Sequence, residues 1–150
     1  MPINPTVFNT GRDLTVTMQD VDTGATVDFG GFITDFEPTS THDITTIKPI
    51  DQANNVNHLA YGNYRVSITV ERATGALYDL EAKNRADFKL DGTNHRYTVT
   101  GSYRNKADGQ MNKYQFTNCL VWLESFGQAR KDQSMPQRLM AEADDYEKVS

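Results

Sequence analysis

The side chains of this sequence with the most reactive chemistry are three histidines, one cysteine and a few paired acids, and their spacing decides what they can do together. His42, His58 and His95 stand far apart in polar stretches, without the short spacing that turns two imidazoles toward one metal, and read as surface histidines. Asp20-Val21-Asp22-Thr23-Gly24 opens like a calcium loop, whose alternate carboxylates converge inside a bend. At the twelfth position, where such a loop needs a glutamate, Gly31 stands instead, so the run reads as a hairpin turn. Two acids can divide acid and base work only where apolar surroundings split their pKa values, and nothing around Asp20/Asp22 or Asp144-Asp145 suggests that. Gly30-Gly31 lacks the strand-to-helix context of a phosphate loop, and the sequence has no nucleophile elbow, Walker loop or dinucleotide fingerprint. Cys119 sits in an apolar run and reads as a small buried hydrophobe; an intersubunit disulfide would require it to be exposed. The residues therefore predict no catalytic group, no metal site and no cofactor.

Charge narrows the partners. Fifteen basic against twenty acidic residues leave a net charge of −5, the wrong sign for gripping phosphate backbones. The interleaved His95-Arg96-Tyr97 and Tyr103-Arg104 would suit stacking on single-stranded nucleic acid, but a core-facing parity for Tyr97, Val99 and Tyr103 explains them with less. With 150 residues and a 37% hydrophobic share, one domain spanning 1–150 can bury a core without metals or disulfides, although a mean hydropathy of −0.63 is polar for this length. Neither a secretory leader nor an 18-residue apolar run is present, which predicts a protein kept in solution.

The elements follow from periodicity. Residues 1–11, with two prolines and two asparagines, predict an irregular arm. Leu14, Val16 and Met18 alternate with polar residues, the 20–24 turn follows, and Ala25, Val27 and Phe29 predict a short return strand. Residues 32–37 and 43–48 predict one long strand interrupted around Pro38. Residues 49–63, rich in asparagine and without period, predict a long loop. Tyr64, Val66, Ile68 and Val70 alternate cleanly with Arg65, Ser67, Thr69 and Glu71. The period then changes: Leu77, Leu80, Asn84 and Phe88 predict one helix over about 75–90, with Thr74 as N-cap and Asp79/Lys83 and Glu81/Arg85 as outward ion pairs. After it come a strand through Tyr97, Val99 and Tyr103, a turn at Asp108-Gly109, a strand through Tyr114, Phe116, Leu120 and Trp122 that is apolar on both parities between 119 and 123, and a weakly alternating segment through Leu139, Ala141 and Ala143. The sum is a mainly β chain, an antiparallel β-sandwich or partly open barrel with one packed helix.

That order, carried by Tyr64-Arg65-Val66-Ser67-Ile68-Thr69-Val70 running into the helix and by Tyr114-Gln115-Phe116-Thr117-Asn118 with its Y-x-F-x-N form, resembles the tail tube proteins of contractile-tailed bacteriophages. These are related in fold to the tube proteins of type VI secretion. Residues 134–146 depart from the pattern because Pro136 argues against regular pairing. The resemblance implies hexameric rings whose strands join edge to edge, stacked into a tube of the virion tail that is assembled in the host bacterial cytoplasm and conducts DNA on ejection. It implies contacts with other copies, an outer sheath, and a tape measure protein and genomic DNA passing without sequence-specific binding, and no membrane insertion. Under it, Asn4, Phe8, Ile50, Asn54, Asn55 and His58, in the arm and loop, become candidate inter-ring contacts, and Arg65, Ser67, Thr69 and Glu71 candidate lumen-facing residues. A type VI or phage-like injection tube is the alternative within the same architecture. A ligand- or carbohydrate-binding β-sandwich with Tyr61, Tyr64 or Trp122 as its platform is the alternative outside it.

Overall fold

Strict alternation buries one face of a strand, and Val66, Ile68 and Val70 are each fully buried in β3 (Val56–Arg72) while Arg65 stays exposed. The computed structural model describes residues 14–51 and 53–149. The other strands are β1 (Leu14–Asp20), β2 (Gly31–Ile47), β4 (Tyr97–Arg104), β5 (Met111–Ser125), β6 (Pro136–Ala143) and β7 (Asp145–Lys148), with the helix α1 (Ala76–Asp91) after β3. Among the described residues all pairings are antiparallel, in the order β1-β4-β5-β6-β3-β2 with β7 on β5, and the sheet does not close into a barrel.

β5 makes the fold two-layered. Its first half pairs with β4 and β7, its second with β6, and the change falls at Asn118, whose φ is 55°. There the register to β4 moves from Val99↔Phe116 to Tyr97↔Cys119, one extra residue on β5, which is a bulge. The parity of burial flips across it: Phe116 is buried before the bulge, Cys119 and Leu123 after it. Tyr114, Phe116, Leu120 and Trp122 therefore do not share one face, and Leu120 and Trp122 are only half-buried on the side away from the core. The expectation of a strand covered on both sides is corrected accordingly. The Asn118 amide donates to the Asp144 carboxylate (2.5 Å) and its carbonyl accepts from Arg96 Nη1 (3.3 Å), which pins the bend to β4 and to the β6–β7 junction.

Three further expectations change. The return strand after 20–24 is reduced to one bridge, Gln19↔Thr26, while β1 pairs along its length with β4, because Val16 and Met18 gain more burial beside Val99 than beside a short hairpin partner. The loop over 49–63 is shorter than expected: Val56 onward pairs with β2 from Ile47 back to Ser40, so the amide-rich stretch is largely strand. Residues 136–143 form β6, held between β3 and β5, and Pro136 is its first residue, where a missing N–H costs the ladder little. Ala141 and Ala143 are fully buried there; small side chains suit close packing, and the weak alternation hid it.

The helix forms where its period predicts, but only Leu77 is fully buried. Phe88 is exposed; Asn84 accepts from the Tyr97 hydroxyl (3.0 Å). Gly75, not Thr74, occupies the N-cap, and Thr74 Oγ1 accepts from Ala76 N at 3.4 Å. Glu81 accepts from Leu123 N (3.1 Å) instead of pairing with Arg85, so it ties the helix to β5, and Asp79/Lys83 is likewise absent from the ion pairs among the described residues. Among them, no helix is long and apolar enough to cross a membrane.

Candidate functional site

Residues that alternate on four neighbouring strands fall into rows across the sheet. On the face of β2-β3-β6-β5 turned away from the core, one row runs Thr39, Arg65, Glu142, Leu120, the next Glu37, Ser67, Met140, Trp122, and a third Asp35, Thr69, Arg138. Glu71 stands beyond Thr69 on β3, opposite Phe32. The four polar residues predicted to line a channel are thus brought onto one surface, about 14 Å wide at the usual strand spacing. Its acids Asp35, Glu37, Glu71 and Glu142 outnumber its bases Arg65 and Arg138. Arg65 and Glu142 approach to 3.7 Å with both side chains substantially exposed, a pair that contributes under about 1 kcal/mol. One oxygen of Glu71 is buried without a hydrogen bond.

The second surface is the outer part of the β2–β3 hairpin. Every described residue from 39 to 48 and from 53 to 63 is exposed, so this ribbon stands clear of the core. Its register sets Ile44 opposite Leu59 and Ile47 opposite Val56, on opposite faces, and all four are exposed, as is Ile50 in the turn. His42 pairs with Tyr61 edge to face at 5.8 Å. His58 lies on the strand opposite Thr45, while Asn54 and Asn55 belong to the turn. The arm residues Asn4 and Phe8 lie outside the described residues. The sequence alone did not single out Ile44, Ile47 and Leu59, and offered Tyr61 only as a ligand platform; Leu59 and Tyr61, two apart beside the asparagines, carried the available signal of a strand.

Polar groups elsewhere serve the fold. Asp20 Oδ1 accepts from Asp22 N (2.8 Å), closing its own turn. His95 is not a surface histidine: Nε2 meets Asp87 at 2.5 Å and Nδ1 is buried without a partner. Cys119 is fully buried, donates to Phe116 O (3.2 Å), and burial pushes its thiol up to about 11; a disulfide between subunits is out of its reach. Among the described residues no group of three His, Cys, Asp or Glu side chains could hold a metal. Tyr61, Tyr64 and Trp122 form no common platform. Tyr64 packs with Phe116 and Tyr146 on the core side, Trp122 faces away, and Tyr61 is about 20 Å up the strand from the Trp122 row.

No protein-family model matches the chain, and no curated protein matches it in sequence. Solved structures do. A chain of the anti-feeding prophage tube-terminating cap aligns with a TM-score of 0.67 at 13% identity, covering 100% of this chain and 96% of that one. A chain of the six-fold symmetrised anti-feeding prophage baseplate aligns at 0.59 and 10% identity, covering 96% and 97%. A chain of the sheath–tube complex of an extracellular contractile injection system, PVC, in its extended state aligns at 0.58 and 11%, covering 90% and 88%. With a two-layered antiparallel sheet, one helix and a projecting hairpin, the chain has the fold found in the tube, cap and baseplate assemblies of contractile injection systems.

Proposed function

We propose that the chain is a structural subunit, not an enzyme, which polymerises through six-membered rings into the tube of a phage tail. The observation that carries this reading is the β2–β3 hairpin. A two-stranded ribbon bearing exposed isoleucine, valine and leucine on both faces is marginal in water by itself and gains stability only by docking on another surface. A second copy, presenting the same open sheet edges, is the partner in a ring or in the ring above it. Ile50, Asn54, Asn55 and His58 then serve contacts between rings, and Asn4 and Phe8 join them from the arm.

The acidic face carrying Arg65, Ser67, Thr69 and Glu71 becomes the inner wall, where surplus carboxylates repel phosphate and let DNA pass without sticking. A sheath surrounds the tube, and tape measure protein and genomic DNA occupy it in turn. A tube of a type VI secretion or phage-like injection system is the second reading, supported by the likeness to anti-feeding prophage and PVC chains. Electron microscopy of the purified chain is the test: rings or tubes are expected, and a chain that stays monomeric at high concentration overturns the proposal. Ile44→Lys with Leu59→Lys is expected to leave a folded monomer and no tubes.

A further inference from the structure

The β2–β3 ladder has two ends with opposite chemistry. At one end Gly31 pairs with Arg72; at the other the chain turns between Ile47 and Val56, roughly 50 Å away at the usual strand rise. Ile50 lies in that turn fully exposed (106%), next to the exposed Asp51. Between residues 43 and 60 the charged side chains are Asp43, Lys48 and Asp51, so this end is apolar with a surplus of carboxylate. The Arg72 end is an aromatic and cationic ledge. The Arg72 guanidinium stands 4.5 Å from the centre of the Tyr78 ring, and Phe126 stacks on Tyr78 at 5.5 Å and 15°. The Phe126 carbonyl accepts from the Tyr78 hydroxyl (2.8 Å) and from Gln137 Nε2 (3.3 Å), while Arg72 N donates to Met135 O (3.1 Å). Both ends of the 126–135 loop are thereby fixed. Gly127, at φ 96°, lets the loop return closely, since an added Cβ would lie 2.9 Å from Met135 Cγ. Phe126 is nonetheless half exposed. Arg72, Arg130, Lys131 and Arg138 stand at this end against Glu71, Glu124 and Asp132, and none of the four cations is in an ion pair among the described residues.

We propose, resting on the tube reading above, that this ledge is the receptor for the hairpin turn of a second copy in the next ring. Ile50 of one copy seats against Phe126 and Met135 of the other, and Asp51 meets Arg130 and Lys131. The occupant is a second copy because the two surfaces complement each other. One offers a bare aliphatic side chain with surplus carboxylate, the other a bare ring with surplus cations. Aromatic residues, methionine and arginine are the types that concentrate in interfaces, and a ledge already held by stacking and hydrogen bonds loses little freedom when it docks. The two surfaces stand at opposite ends of one ladder, so a chain does not satisfy its own. Copies in the same orientation, displaced along the strands, satisfy one another end to end. A head-to-tail contact of this kind does not close on itself and repeats into a filament. The stack is therefore polar, with the hairpins of every ring directed at the ledges of the next.

Disulfide trapping is the test, and the fully buried Cys119 stays silent in it. Ile50→Cys and Phe126→Cys chains, mixed and oxidised under assembly conditions, should give a cross-linked dimer at least about tenfold above a mixture of Ile50→Cys with Leu90→Cys, because a disulfide forms only where the two backbones approach closely. Leu90 serves as the control because it is exposed at the helix end. In electron microscopy Phe126→Asp and Ile50→Asp, both at exposed positions, should stop assembly at single rings. Asp51→Lys should do the same and regain tubes when combined with Arg130→Asp and Lys131→Asp. Tubes formed by Phe126→Asp, or a cross-link no stronger than the control, overturn this contact and leave the tube reading standing. A cross-link already present in single rings places the contact between neighbours within a ring and overturns the stacking. Wild-type chains that never leave the monomer overturn both.

Discussion

Asn118 is exposed, and by exposure alone its replacement should change stability by less than about 0.5 kcal/mol. The bulge demands more. At φ 55° a side chain with a Cβ costs about 1–2 kcal/mol, and a β-branched one lies at the upper end, whereas asparagine and glycine tolerate the region. Any replacement also loses the amide bond to Asp144, a charge-assisted contact worth about 1 kcal/mol once its exposure is allowed for. Asn118→Gly loses the bond and adds chain entropy to the unfolded state, about 1–2 kcal/mol in all. Asn118→Ala adds the backbone strain and reaches about 2–3, and Asn118→Val about 3 or somewhat more. Urea unfolding of monomeric protein, followed by Trp122 fluorescence, measures the series at constant m-value. Valine as stable as glycine would refute the bulge account, because only the left-handed backbone ranks glycine above valine in a strand.

Alkaline unfolding offers a second check. The Cys119 thiol is raised from 9.0 to about 11 in the folded chain, so the unfolded chain loses its proton first; stability is intact below about pH 9 and falls toward pH 11 by an amount on the order of 2–3 kcal/mol. Cys119→Ala should flatten that slope in urea titrations at successive pH values, and an unchanged slope counts against the burial. Native protein at pH 8 should react with thiol reagents only at its unfolding rate, a comparison made by following labelling with and without urea. Gly31→Ala would set a Cβ 1.9 Å from the Glu71 carbonyl oxygen, so β2 must shift against β3. A loss of several kcal/mol is expected, and a thermal midpoint within 2 °C of wild type is the contrary result.

The legible parts of this chain are those where one face is apolar and the other polar. Residues 64–70 announced β3 because Val66, Ile68 and Val70 had to turn inward together, and Leu77 and Leu80 announced the helix by their period. The candidate channel face followed from the same alternation. The hairpin was misread because its apolar residues stay exposed and its asparagines resemble loop composition, although an extended ladder satisfies their backbone as well as a loop does. β6 was read as a weakly alternating β segment, and only its regular pairing was doubted, because two alanines and a proline carry little hydrophobic signal; yet β6 is the strand on which β3 and β5 both pair.

By itself the sequence determined the mainly β character, the position of the helix and the acidic balance, since each is a property of composition or of neighbours along the chain. Only the tertiary structure decided which strands pair, that β5 changes layers at Asn118, that Cys119 is fully and His95 partly buried, and that among the described residues β1 and β2 stand at the two ends of the sheet. Those outcomes depend on contacts between residues distant in sequence, where the burial gained by the whole sheet outweighs what any short segment prefers.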